Sequence, residues 1–172
     1  MKIGVYPGRF DPFTIGHLDV LKSAAQLFDV VYVAVLNLSQ QRSVFTTKER
    51  MEMIDRLIQV ENIPNARAAA FDGLLIDYAQ SVGATHLIRG LRGVMDFEHA
   101  FQLDAINGHL SAQIKTVYFM ANPEQLFLSS SHVNEAGRYG GTVEGLVPSC
   151  NLRFVQERLA GQGPKSNSAD TK

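Results

Sequence analysis

The sequence predicts an α/β fold: a doubly wound, Rossmann-like, five-stranded parallel sheet with helices on both faces. Two observations carry this expectation. Short apolar runs recur at KIGVY (2–6), VVYVAVL (30–36), ARAAAF (66–71), THLIR (85–89) and KTVYFM (115–120), and each is separated from the next by a segment with helical spacing. Alternation of that kind implies parallel strands joined by right-handed crossovers. Runs that are apolar throughout, such as VVYVAVL, suit strands covered on both faces.

Taken in order, the first helix is expected over 17–28, where HLDVLKSAAQLF places Leu18, Leu21, Ala24, Ala25 and Phe28 on one face. The second is announced by Thr46 and Glu49 at capping-box spacing, with Met51, Ile54, Leu57 and Ile58 following on one face. A third helix, about 74–82, leads into Gly83; a fourth runs from about Val94 to Leu110; shorter helices follow Ser131 and Pro148. From Gly161 onward, GQGPKSNSADTK has no apolar anchor and reads as a disordered tail over 161–172, which leaves 1–160 as one domain without repeat or linker.

The totals narrow the function. With 172 residues, 45% hydrophobic, 19% charged and a formal net charge of -1, the chain suggests neither disorder nor a general nucleic-acid surface. Cys150 is the single cysteine, which excludes an internal disulfide and agrees with a reducing compartment. No apolar run approaches the roughly 20 residues that cross a bilayer, and residues 2–6 are too short for a signal-peptide core. The expectation is a soluble cytoplasmic protein that meets partners at local sites, with neither nucleic acid nor membrane among them.

Between the first strand and the first helix lies GRFDPFTIGH. A glycine-punctuated loop ending at a helix N-terminus offers free N–H groups and the positive end of a helix dipole, which favour an anion such as phosphate. Gly8 and Gly16 permit close backbone approach or positive φ, while Pro7 and Pro12 stiffen the path. Thr14 and His17 could point into one anion site; the plainer reading makes Thr14 a helix cap and His17 a surface residue. Neither the Walker phosphate loop nor the dinucleotide glycine fingerprint occurs, so the residues alone give a phosphate site of unnamed type.

Two further segments bear on that site. Arg89 stands where the apolar HLI run ends, the edge on which open α/β sheets bind ligands; the plainer reading neutralises Arg89 and Arg92 on the surface with Asp96 and Glu98. In LFLSSS (126–131) a serine caps the next helix, and the same turn presents hydroxyls and N–H groups to a phosphate.

GRFDPFTIGH resembles the signature G-x-F-D-P-x-T-x-G-H of a nucleotidyltransferase superfamily. The resemblance continues through VLN (35–37), FTTKER (45–50), GLLIDYA (73–79), IRGLR (88–92), DFE (96–98) and LSSS (128–131). In order and spacing these are similar to the bacterial phosphopantetheine adenylyltransferase family over residues 3–159. The resemblance implies transfer of the adenylyl group of ATP to 4′-phosphopantetheine, giving dephospho-coenzyme A and pyrophosphate in the penultimate step of coenzyme A synthesis. Mg2+ would accompany the ATP phosphates. An acceptor phosphate is already anionic near neutral pH, so direct in-line attack rests on positioning and charge stabilisation rather than on a general base. In keeping with that, the sequence shows no Ser-His-Asp set, no paired carboxylates, no zinc-ligand spacing and no carboxylate cage dedicated to a metal.

By the same resemblance His17 stabilises the transition state, with Thr14 beside it. Phe10, Gly90, Leu91, Arg92, Ala100, Gln125, Leu126, Phe127, Leu128, Ser129, Ser130 and Ser131 join His17 in contacting ATP, and Arg9, Gln41, Arg42, Leu75 and Arg89 face the acceptor. A homohexamer and feedback by coenzyme A are implied too; the sequence itself marks no interface.

Four matched positions depart from the family pattern: Arg9 replaces Ser or Thr, Gln41 a phosphate-binding Lys, Ala100 an ATP-contacting Glu, and Asn134 a Lys. A charged hydrogen bond contributes about 1.5–3 kcal/mol and a neutral one about 0.5–1.5, so Gln41 alone would cost about tenfold in phosphate affinity. Arg9, aided by Arg42, is read as supplying the missing cation. Two alternatives stay open: a nucleotidyltransferase for another phosphorylated acceptor, since positions 9 and 41 face the acceptor, and a non-catalytic nucleotide-binding paralogue.

Overall fold

The computed structural model describes residues 1–37 and 42–162, with Val94 and Met95 as backbone only. Five strands, β1 (Ile3–Gly8), β2 (Val30–Leu36), β3 (Ala66–Phe71), β4 (His86–Leu91) and β5 (Lys115–Met120), form one parallel sheet in the order β3-β2-β1-β4-β5. The chain moves outward from β1 to one edge and then to the other, so the carboxyl ends of β1 and β4 adjoin at the switch point where open α/β sheets bind ligands.

Side chains alternate across the sheet and both faces are apolar. On one face Tyr6, Val31, Val33, Val35 and Ile88 meet Val20, Leu21 and Ala24 of α1 (Ile15–Ala25) and Ile54 and Leu57 of α2 (Thr47–Val60). On the other, Val5, Ala34, Phe71 and Leu87 meet Ile76 and Ala79 of α3 (Leu75–Ser81). Helix α4 (Val94–Leu110) packs along β4, and α5 (Ser130–Arg138) and α6 (Ser149–Ala160) pack on each other, with α6 against α2.

Strands β2, β3 and β5 and helix α4 have the bounds expected from the sequence. Helix α1 begins at Ile15 rather than His17 because Thr14 already caps it, and it ends at Ala25; Phe28 lies beyond it yet is still buried. In α2 the expected face lies toward the sheet, but Met53 is buried as well, in a second cluster with Val133, Val155 and Leu159. That cluster exists because α6 covers a flank of α2 that the helical spacing alone leaves to solvent. Helix α3 stops before Gly83, whose φ of +67° is the left-handed conformation that ends a helix. Gly161 and Gln162 close α6 with a turn; residues 163–172 of the expected tail, like Gln41, lie outside the described residues. Among the described residues no helix is long and apolar enough to cross a membrane.

Candidate active site

The loop from β1 delivers its chain to α1 through a capping box in which histidine takes the usual place of Glu or Gln. The His17 N–H donates to Thr14 Oγ1 at 3.3 Å, and the Thr14 N–H donates to His17 Nδ1 at 3.0 Å. With Nδ1 engaged as an acceptor, the ring proton sits on Nε2, which is left as a free donor. Burial, and secondarily the Arg92 charge, pull the His17 pKa down to about 4, so the ring is neutral near pH 7. Phe10 and Phe13 flank it, with ring centroids at 5.1 and 5.2 Å. Thr14 is therefore the cap that the plainer reading supposes, and the capping itself aims His17.

Long-range bonds hold the loop from every side. The buried Asp11 carboxylate accepts the N–H groups of Val44 and Phe45, each at 2.9 Å. Arg50, 3% exposed, donates to the carbonyl of Arg9 at 2.6 Å, to that of Leu36 at 3.3 Å and to Thr47 Oγ1 at 3.0 Å. Asn134 Nδ2 donates to the Asp11 carbonyl and Ser130 Oγ to that of Pro12. The positive φ in this loop, +48°, belongs to Phe10 and not to a glycine. Gly8 is required for space instead, since a Cβ there would lie 2.7–3.0 Å from the Phe10 ring. Asp11 and Arg50 are organisers that sequence reasoning missed, although each sits inside a motif segment, FDP or FTTKER.

At the end of β4, Asp96 accepts from the Arg92 N–H at 3.2 Å and from Nε at 3.0 Å, while Arg92 Nη1 donates to the Leu128 carbonyl at 2.6 Å. The guanidinium is thus neutralised by Asp96 and still borders the site; Glu98 takes no part in an ion pair among the described residues.

Three cavities meet around these groups. A polar one of about 690 Å³ is bordered by Arg9, Arg42, Arg92, Arg138, His17 and the run Ser129–Ser131 at the start of α5. An apolar one of about 530 Å³ runs between α3 and α4, past Leu74, Leu75, Leu103, Ile106 and Leu110, with Arg9 and Arg89 at its edge. A third, of about 160 Å³, joins them: it shares Phe10, His17 and Arg92 with the first and Pro7, Gly8 and Arg89 with the second.

The expected site residues divide accordingly. Thr14, Gly90 and Leu128 border the junction, and Leu75 and Arg89 border the apolar cavity. Arg42, expected on the acceptor side, borders the polar cavity instead. Leu91 and Ala100 are buried, Leu126 and Phe127 stand exposed, and none of these four lines the three cavities. Gln125 lines none either, although its Oε1 is buried without a partner 3.6 Å from where a Cβ on Gly16 would be. Among the described residues no three His, Cys, Asp or Glu side chains converge as a metal cluster.

With this geometry in place, comparison with known proteins is informative. The cytidylyltransferase-like family matches residues 5–136. Two solved structures share the fold at low identity. A candidate nicotinate-nucleotide adenylyltransferase from Vibrio parahaemolyticus has a TM-score of 0.68 at 16% identity, over 92% of this chain and 95% of its own. A bifunctional NMN adenylyltransferase/ADP ribose pyrophosphatase from Francisella tularensis has a TM-score of 0.70 at 12% identity, over 94% of this chain and 51% of its own. Relatives named phosphopantetheine adenylyltransferase are much nearer in sequence. The one from Lachnoclostridium phytofermentans is 41% identical over 94% of this chain and 98% of its own length. Those from Desulforudis audaxviator and Geobacter sulfurreducens are each 44% identical, over 95% and 93% of this chain and 99% and 96% of their own lengths. The chain belongs to the phosphopantetheine adenylyltransferase family, within the cytidylyltransferase-like group.

Proposed function

We propose that the chain catalyses ATP + 4′-phosphopantetheine → dephospho-coenzyme A + pyrophosphate, a step of coenzyme A synthesis, in the cytoplasm. The observation that carries this is the junction: His17 and two arginines stand where a cationic polar cavity opens into an apolar one. The polar cavity suits the triphosphate, since Arg42 and Arg138 bring positive charge beyond the Asp96-paired Arg92 and the serine turn adds hydroxyl and N–H donors. The apolar cavity suits the pantetheine arm, with Arg89 and Arg9 placed to grip its phosphate at the mouth.

An acceptor phosphate oxygen attacks the α-phosphorus, the bond from that phosphorus to the bridging oxygen breaks, and pyrophosphate leaves. No proton need be removed. The neutral Nε2–H of His17 donates to an oxygen whose charge grows in the transition state, and its orientation is prepared by the capping box. Mg2+ bound with ATP would neutralise phosphate charge. The polar cavity offers that ion few protein ligands; Glu135 and the unpartnered Asn134 Oδ1 are acceptors on its wall, and phosphate oxygens and water would supply the rest.

Assembly into a homohexamer is part of the same proposal. Phe97 and Phe101 on α4 and Met120 at the end of β5 are between 47% and 72% exposed, an apolar surface that a second copy would cover. Coenzyme A, which shares groups with both substrates, would occupy the same cavities as a feedback ligand.

The test is incubation with ATP, Mg2+ and 4′-phosphopantetheine while pyrophosphate and dephospho-coenzyme A are measured; both are expected in equal amounts. Pyrophosphate released only with a different phosphate ester would mark another acceptor. ATP binding without turnover on any acceptor would mark a non-catalytic paralogue.

A further inference from the structure

We propose that the Tyr6 hydroxyl is a substrate contact at the junction, donating a hydrogen bond to a phosphate oxygen of the bound nucleotide; the inference rests on the adenylyl-transfer reading above.

Strand alternation sends Tyr6 to the α1 face, where its ring is 4% exposed and meets Phe10 edge-on at 5.3 Å. Tyr6 nevertheless borders the 160 Å³ junction. A methyl built on Gly90 would clash with Val20 Cγ2 at 2.9 Å and touch the Tyr6 oxygen at 3.9 Å, which places the hydroxyl beside Gly90 on the junction wall. Among the described residues no side chain or backbone group accepts from the hydroxyl; the charges that act on it are those of Arg92 and Asp19.

Among the described residues the fully buried side-chain atoms without a partner are Arg50 Nε, Gln125 Oε1 and Asn134 Oδ1; the Tyr6 hydroxyl is not one of them and opens on the junction, where a ligand can accept from it. The remaining polar groups at the junction indicate what the hydroxyl meets. His17 offers Nε2–H, and Arg89 and Arg92 can only donate, so the part of a ligand seated here is rich in acceptors, as a phosphate is. Burial raises the Tyr6 pKa further above its ordinary value, so the phenol stays protonated and can donate. Because the junction lies between the two larger cavities, the acceptor it meets is on the phosphate undergoing transfer.

Tyr6→Phe removes only the oxygen. Under the proposal, kcat/KM for ATP falls about tenfold or more, as expected for a hydrogen bond to a charged group, while the melting temperature holds or rises. A kcat/KM within twofold of the parent chain overturns it, and so does a loss of activity accompanied by a melting temperature several degrees lower, which would make the hydroxyl structural. If the parent chain transfers nothing to 4′-phosphopantetheine, the proposed function fails separately. Calorimetric titration of both chains with ATP then decides for Tyr6: tenfold weaker binding by the variant supports the contact, and equal binding removes it.

Discussion

The loop from Gly8 to His17 and the helix α4 both border the apolar cavity and are built in opposite ways. In the loop, Asp11, Thr14 and Phe13 are buried, and bonds arrive from α2, from α5 and from the segment before α2. Helix α4 has no side-chain cap, and its apolar residues include Phe97, 47% exposed, and Phe101, 62% exposed. The loop is completed by contacts within one chain. On α4, Phe97 meets Tyr118 of β5 with ring centroids 6.3 Å apart yet stays half-exposed, as Phe101 does beside it, and the same helix lends Leu103, Ile106 and Asn107 to the apolar cavity. The proposed reaction centre and the proposed acceptor wall are thus built on separable elements, and substitutions should separate them.

The largest effect is expected inside the loop. His17→Ala should lower kcat about 100- to 1000-fold with little change in ATP affinity, since the lost donor acts on charge that develops in the transition state. A rise in KM alone would place His17 in ground-state binding. Asp11→Ala strands two buried N–H groups and should cost about 3 kcal/mol in urea unfolding while slowing turnover. Both variants should keep the parent's sedimentation behaviour. Phe101→Glu should do the reverse: it sheds assembled species in sedimentation velocity and leaves isolated subunits folded. An unchanged mass would show that this face is not the one covered.

Acid sharpens the comparison through two groups. The His17 pKa is about 4 when folded against 6.5 unfolded, so the unfolded state binds the proton first. Stability is therefore whole above pH 6.5 and is lost as pH falls toward 4. Glu49 is held down to about 2, against 4.5, first by its hydrogen bond from Arg158 of α6. Its contribution is present above pH 4.5 and is lost as pH falls toward 2. Thermal melts across both windows should show two successive declines, the upper one flattened in His17→Ala and the lower one in Glu49→Gln. The smallest effect belongs to Arg9→Ser, which should raise KM for 4′-phosphopantetheine about tenfold and spare KM for ATP. An equal rise in both would locate Arg9 on the triphosphate, since it lines the polar cavity as well.

By itself the sequence determined what is local. Strand runs, the Thr46–Glu49 box and the extent of α4 are patterns of period two or 3.6 that a short segment expresses without help from the rest of the chain. The expectation of an anion site at GRFDPFTIGH rests on an equally local feature, because a helix N-terminus exposes its N–H groups wherever it lies. Tertiary structure decided how the segments converge. Asp11 meets Val44 and Phe45 across 33 and 34 residues, and Arg92 meets Leu128 across 36. Such pairs depend on how the crossovers place their ends, which no local period encodes. The same placement put Arg42 on the polar side, left Phe127 in solvent and buried Ala100 away from all three cavities. It also set the hydroxyl of Tyr6, a residue that reads in sequence as one more apolar strand position, where two substrates would meet.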